Sequence, residues 1–210
     1  MMKFLLRFLI NFFDKIYRRI LNIYSKFYCK VIFYLYNINY KKFTVYGKPF
    51  FRIAQTSKVF FGDNVTFTSG KNFNVIGGDI RLNILVGEGA SLIFGDNIGI
   101  SNSTFVCRKS ITIEDNVLVG GGCIFYDTDF HTIHGEKRIK YFIDKEIDKD
   151  AISKDIHISK GVWIGGHCII LKGVRIGENS IIAAGSVISK SIPPNQIWGG
   201  NPITFIKNIE

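Results

Sequence analysis

The chain carries isoleucines in strict step: Ile158, Ile164, Ile170, Ile176, Ile182 and Ile188 follow one another at intervals of six. Four residues after each come Val162, Cys168, Val174, Ser180, Ser186 and Ile192, all small or apolar. Such a period belongs neither to an α-helix, which repeats every 3.6 residues, nor to a plain strand, which repeats every two. It suits a short flat strand followed by a tight bend, with one large apolar side chain turned inward per side. One side cannot bury that residue alone, so successive turns must stack as parallel strands around a continuous core.

The pattern reaches back to about Val59. Phe94, Ile100 and Val106 keep the period, and Ile113, Val119 and Phe125 keep it again after a slip of one residue. The bends repeat as well, as Gly62-Asp63-Asn64, Gly95-Asp96-Asn97, Glu114-Asp115-Asn116 and Gly177-Glu178-Asn179. Glycine, asparagine and aspartate fit there because they tolerate positive φ.

The first forty residues follow another rule. Phe4, Phe8, Phe12, Ile16, Ile20 and Tyr24 recur every four residues, flanked by Leu5, Leu9, Phe13 and Phe27. Lys3, Arg7, Asn11, Lys15, Arg18, Asn22, Ser25 and Cys29 advance by three or four on the other side. This spacing predicts an amphipathic helix with an aromatic face and a cationic one. A membrane span is not expected, because charges interrupt every candidate stretch of about 20 residues. No compact apolar run is followed by a cleavage site of the signal-peptide kind. Two readings remain: the helix lies on an anionic membrane surface, or it packs on its own protein or a neighbouring subunit.

Charge supports this division. The chain has a net charge of +10, and residues 1–42 hold nine Lys or Arg against the single acid Asp14, leaving the rest nearly neutral. A nucleic-acid-binding body would need its positive charge spread along a binding face, so no nucleic-acid partner is expected. The four cysteines, Cys29, Cys107, Cys123 and Cys168, form no CxxC. They are expected to be reduced and mostly buried, as in a cytosolic protein. The expected organisation is a helical segment over 1–42 and one β-domain over 43–206, with an insertion at 126–155.

In that insertion the period fails for about thirty residues, YDTDFHTIHGEKRIKYFIDKEIDKDAISKD, between Phe125 and Ile156. Repeat proteins accept insertions at bends, where the stacked core is left intact, and such loops commonly form a binding face. Two of the four histidines, His131 and His134, lie in it.

The hexad pattern resembles the hexapeptide-repeat acyltransferases over about residues 59–206, most specifically over 156–202. The segments Asp127-Thr128-Asp129-Phe130-His131 and Val162-Trp163-Ile164-Gly165 resemble the sugar O-acetyltransferases that modify capsules and lipopolysaccharide. The resemblance implies an all-β fold, a left-handed parallel β-helix with three hexapeptides per coil, an exception to the usual right-handed crossover. It also implies a homotrimer, with acetyl-CoA as co-substrate in a groove between two β-helices.

Acetyl transfer to a hydroxyl needs a base for the alcohol proton, donors for the oxyanion and aligned reactants. His131 occupies the family's catalytic position and is the expected base, returning a proton to the CoA thiolate; the imidazole suits this work. Asp127 or Asp129 would orient it as in a triad, or each would cap backbone amides in a turn. His134 is the rival base. His157 is expected to face outward and His167 to lie at a surface bend. By resemblance Trp163 would touch the acceptor or the transferring acetyl group; otherwise it packs against the loop or a neighbour.

Gly165, Ala183, Ala184 and Gly185 resemble the small-residue wall for pantetheine, with Ser189 and with Lys190 available for a phosphate. Gly200, Asn201 and Pro202 resemble the adenine-side motif, although Ile203 and Thr204 replace its usual small and basic residues and Ser191 stands where an acid is common. Lys137, Arg138 and Lys140 would either steer an acidic glycan or form a solvated cluster.

No metal is expected: a zinc β-helix enzyme needs three converging histidines, and the four here lack that spacing. No P-loop or dinucleotide fingerprint is present. The expected activity is O-acetylation of a surface polysaccharide or its sugar precursor, by a protein on the cytoplasmic face of the inner membrane. Two alternatives stay open: N-acetylation of an amino-sugar nucleotide, and a non-catalytic scaffold at the membrane.

Overall fold

Side chains alternate in and out along each short strand, and the bends between strands turn the chain through three faces per coil. The structure, a computed structural model, describes residues 2–210. It opens with helix α1 (Met2–Leu35) and a first coil of β1 (Asn39–Tyr40), β2 (Phe43–Tyr46) and β3 (Phe50–Ile53). The next coils are β4 (Lys58–Phe61), β5 (Val65–Thr68) and β6 (Asn83–Val86), then β7 (Ser91–Phe94), β8 (Gly99–Ser101) and β9 (Thr104–Cys107), then β10 (Ser110–Ile113), β11 (Leu118–Val119) and β12 (Ile124–Tyr126). After helix α2 (Gly135–Asp144) come β13 (Ile156–Ile158), β14 (Trp163–Ile164) and β15 (Ile169–Leu171), then β16 (Arg175–Ile176), β17 (Ile181–Ile182) and β18 (Val187–Ile188). The chain ends with β19 (Gln196–Gly199) and β20 (Thr204–Asn208).

Every third strand joins the same sheet. The first face stacks β1-β4-β7-β10-β13-β16, the second β2-β5-β8-β11-β14-β17-β19-β20, and the third β3-β6-β9-β12-β15-β18. All neighbours are parallel except β19 and β20. The fold is the left-handed parallel β-helix.

The hexad isoleucines become three columns inside this prism. Phe61, Phe94, Ile113, Ile158 and Ile176 stack in register on the first face. Phe67, Ile100, Val119, Ile164 and Ile182 do so on the second, and Ile84, Phe105, Phe125, Ile170 and Ile188 on the third. All are buried. The expected Val106 is corrected to Phe105, which is buried while Val106 faces outward. The bend at Asn102 is a residue short of the hexad and the bend at Arg108–Lys109 is longer, so the phase slips between them.

The β-helix also begins earlier than the period reveals, at Asn39, where β1 pairs with β4. A second excursion, unmarked in the sequence, leaves the corner between second and third faces after β5. Asn102 clips it down: its Nδ2 donates to Asn74 O at 2.7 Å and Ile76 O at 3.0 Å, and its Oδ1 accepts from Gly70 N at 2.8 Å. Between β12 and β13 the chain leaves the coils and forms α2, a helix within what the sequence marks only as an interruption.

Only the last third of α1 is anchored. Phe33 plugs the open end of the core, its ring centroid 4.9–5.5 Å from those of Tyr40, Phe43, Phe51 and Phe61. Ser25 and Cys29 are buried on the same seam. Helical spacing puts these two on the polar side, and it is this side that docks: small residues let the helix backbone approach the first coil. Every residue from 2 to 20 is exposed.

Candidate active site

The longer excursion leaves the third face after β12 and returns to the first at β13. Its neck is a short antiparallel pairing, with Lys154 N donating to Asp127 O at 2.8 Å and Asp129 N to Ile152 O at 3.0 Å. Phe130, at φ 63°, turns the chain outward, and its ring meets Tyr126 edge-on at 5.0 Å.

Beyond this turn His131 projects with two thirds of its side chain exposed. Its Nδ1 stands 3.9 Å from Oδ2 of Asp148, whose own side chain is only 3% exposed. That distance is beyond a hydrogen bond. Asp148 meanwhile ties the loop together, its Oδ2 accepting the Thr132 amide at 2.7 Å and its Oδ1 the Asp150 amide at 3.1 Å. A pocket of about 260 Å³ opens here, lined by Asp129, His131, Thr132, Ile133, His134, Lys137, Asp150 and Ile152.

Neither expected aspartate is the one beside the imidazole. Asp127 is fully buried. Its Oδ1 accepts from Arg108 N at 2.7 Å, and its Oδ2 from Lys109 N at 2.7 Å and Ser110 N at 2.9 Å. It thus caps the long bend of the coil above. Burial pushes its carboxyl above the ordinary range, against the pull of the three amides. Asp129 lines the pocket, but its Oδ1 is paired with Lys172 Nζ at 2.6 Å. Asp127 thus caps backbone amides, whereas Asp129 caps none and is held by Lys172 instead.

His134 shares the pocket and stands at the N-cap of α2 without a side-chain cap bond. His157 binds Glu114 Oε1 at 2.8 Å through Nε2, and His167 is an exposed bend residue at φ 59°. Of the basic trio, Lys137 pairs with Asp150 at 2.9 Å and Arg138 donates to Thr132 O at 3.0 Å, so two of the three are used within the loop.

Trp163 is half-exposed on the second face, paired with Leu118 above and Ile181 below. The excursion leaves from the corner opposite that face, and no residue of that face lines the His131 pocket. Within one chain the two are not brought together.

The small residues gather at the corner between second and third faces. A Cβ on Gly165 would stand 2.6 Å from Ala184 N, so only glycine permits this spacing between coils. Ala184 and Gly185 are exposed. Ser186 Oγ ties them to the chain end, donating to Ala183 O at 2.6 Å and accepting from Gly200 N at 3.0 Å. Gly165, Ala183, Ala184, Gly185 and Gly200, followed by the exposed Asn201 and Pro202, therefore share one edge. Ser189 and Lys190 lie past the far end of β18, and the Lys190 ammonium rests 5.1 Å from the centroid of Trp198. It is stacked on an indole rather than free.

The six-repeat bacterial transferase hexapeptide family matches residues 155–190, the part of the chain where all three columns run without a phase slip. Over this segment the chain is similar to the hexapeptide-repeat transferases.

Among them it is similar to galactoside O-acetyltransferase of Escherichia coli K12, at 37% identity over 55% of this chain and 56% of that protein. The chain thus spans little more than half the length of the curated relatives it matches. A hexapeptide-repeat acetyltransferase of Vibrio cholerae, solved with acetyl-CoA, superposes with TM-score 0.50 at 32% identity over 57% of this chain and 61% of that one. The polySia-specific acetyltransferase NeuO aligns with TM-score 0.52 and 25% identity over 81% and 78%.

Against this family frame, Asp148 and Asn102 are what sequence reasoning missed. Asp148 had one signal, an Asp-x-Asp in the return limb of the excursion; Asn102 had none outside the broken period.

Proposed function

We propose that this chain is an acetyl-CoA-dependent O-acetyltransferase of the hexapeptide-repeat kind, acting on a hydroxyl of a surface polysaccharide or its sugar precursor. His131 is the general base. One nitrogen of its imidazole faces a buried carboxylate and the other is left for the acceptor's proton, which then passes to the departing thiolate. The observation that carries this reading is the exposed His131 ring beside Asp148 in an excursion anchored on a repeat coil. Galactoside O-acetyltransferase and NeuO, both named for sugar acceptors, support the acceptor class.

Acetyl-CoA would lie along the edge formed by Gly165, Ala183–Gly185 and Gly200–Pro202, where small residues let the pantetheine run close to the backbone. A site that also uses Trp163 requires the second face of another copy, which supports a homotrimer. The cationic α1 supports a peripheral position on the cytoplasmic face of the inner membrane.

Calorimetry of the full chain with acetyl-CoA tests the class, and His131→Ala tests the base. Binding at one site per chain is expected, with turnover in the variant lowered at least ~100-fold and binding retained. Absence of binding by folded protein would leave the scaffold reading in its place. Transfer to an amino-sugar nucleotide but to no hydroxyl would move the assignment to N-acetylation.

A further inference from the structure

Helix α1 is two-sided, and the structure reveals which side its own body uses. At about 100° per residue, the buried Ser25, Cys29 and Phe33 mark one side of the helix. Leu9, Phe13, Ile16, Ile20 and Phe27 fall within an arc of roughly 60° on the opposite side. All five are exposed, Phe13 and Phe27 by more than 60%. The β-helix therefore holds the last third of α1 by the Ser25, Cys29 and Phe33 side and leaves the opposite apolar arc uncovered. Packing on its own chain does not account for that face.

The charges say what does. The helix carries Lys3, Arg7, Lys15, Arg18, Arg19, Lys26 and Lys30 against Asp14 alone, and Asp14 is already paired with Arg18 at 2.8 Å. Arg19 and Lys30 border one edge of the apolar arc. Burying this face against the same face of a second copy would bring these borders together with no acid to offset them. An anionic surface offsets them directly. No helix among the described residues is long and apolar enough to cross a membrane, and the free stretch, residues 2–20, is about 28 Å long at 1.5 Å per residue.

We infer that the arc of Leu9, Phe13, Ile16, Ile20 and Phe27 lies in the surface of an anionic phospholipid membrane, with the β-helix body carried on the opposite side of α1. The rings enter the boundary between headgroups and acyl chains, and the bordering cations reach the phosphates along their aliphatic stems. This inference is independent of the catalytic reading, since no residue of it lines the His131 pocket.

Flotation of the full-length protein with vesicles tests it, using phosphatidylcholine alone and a phosphatidylcholine–phosphatidylglycerol mixture. The protein is expected to float with the mixture, far less with phosphatidylcholine, and to be partly released by high salt. Arg19→Gln with Lys30→Gln should weaken partitioning about 25-fold, at about fivefold per cation. Leu9→Asp with Phe13→Asp should abolish flotation while the circular dichroism and acetyl-CoA binding stay unchanged, both residues being exposed. Failure to float with the anionic vesicles, or equal flotation of the double-aspartate variant, would overturn the inference. So would a drop in oligomer mass in that variant with flotation intact, which would identify a second copy as the occupant.

Discussion

Asp148 and His131 share one contact across the excursion: Oδ2 of Asp148 lies 3.9 Å from Nδ1 of His131 while holding the Thr132 amide at 2.7 Å. The same buried carboxylate thus shapes the loop and faces the imidazole. Asp148→Asn keeps the volume but turns one acceptor into a donor. The expected result is a fall in kcat on the order of tenfold with KM for acetyl-CoA unchanged. An unchanged kcat, or a loss confined to KM, would show that Asp148 only supports the loop.

Asp127 and Asp129 should separate cleanly in denaturant titrations. Asp127→Asn forfeits charge-assisted bonds from the Arg108, Lys109 and Ser110 amides and should destabilise the fold by about 3 kcal/mol. Asp129→Asn breaks a single, partly exposed pair with Lys172 and should stay within about 1 kcal/mol. Equal urea midpoints for the two variants would contradict the capping role.

The buried thiols predict an alkaline weakness. Burial pushes Cys29 from its ordinary 9.0 up to about 12, and Cys107 is raised for the same reason. Between those values the native chain keeps a proton that the unfolded chain has released, so stability falls as pH rises through that window. Cys29→Ser should flatten the alkaline limb of the stability curve. Ellman titration should find no reactive thiol in the folded protein at neutral pH and all four after urea.

Phe33 and Phe13 sit on one helix with opposite expectations. Phe33→Ala opens the aromatic plug at the end of the core and should cost about 3–5 kcal/mol. Phe13→Ala, made on an exposed ring, should change stability in vesicle-free buffer by no more than about 0.5 kcal/mol. Thermal unfolding of both variants distinguishes an anchored helix from one that frays throughout.

What the sequence determined by itself is what repeats. From Ile158 to Ile188 the interval of six is set by strand length and bend length, both local properties of the backbone, so the three columns were legible before any fold was known. The same holds for the two faces of α1, which helical spacing alone defines. The excursion was legible as an interruption of the period.

Tertiary structure decided the matters that depend on partners distant in the chain. Phe105 rather than Val106 enters the core because two bends of unequal length lie on either side of it. Asp127 serves the bend of the preceding coil, and Asp148, sixteen residues beyond Thr132, supplies the carboxylate near His131. Sequence periodicity revealed that α1 has two sides, but not that Ser25 and Cys29 would meet the first coil. That choice belongs to the shape of the receiving surface, where small side chains allow close approach and one open core end admits Phe33.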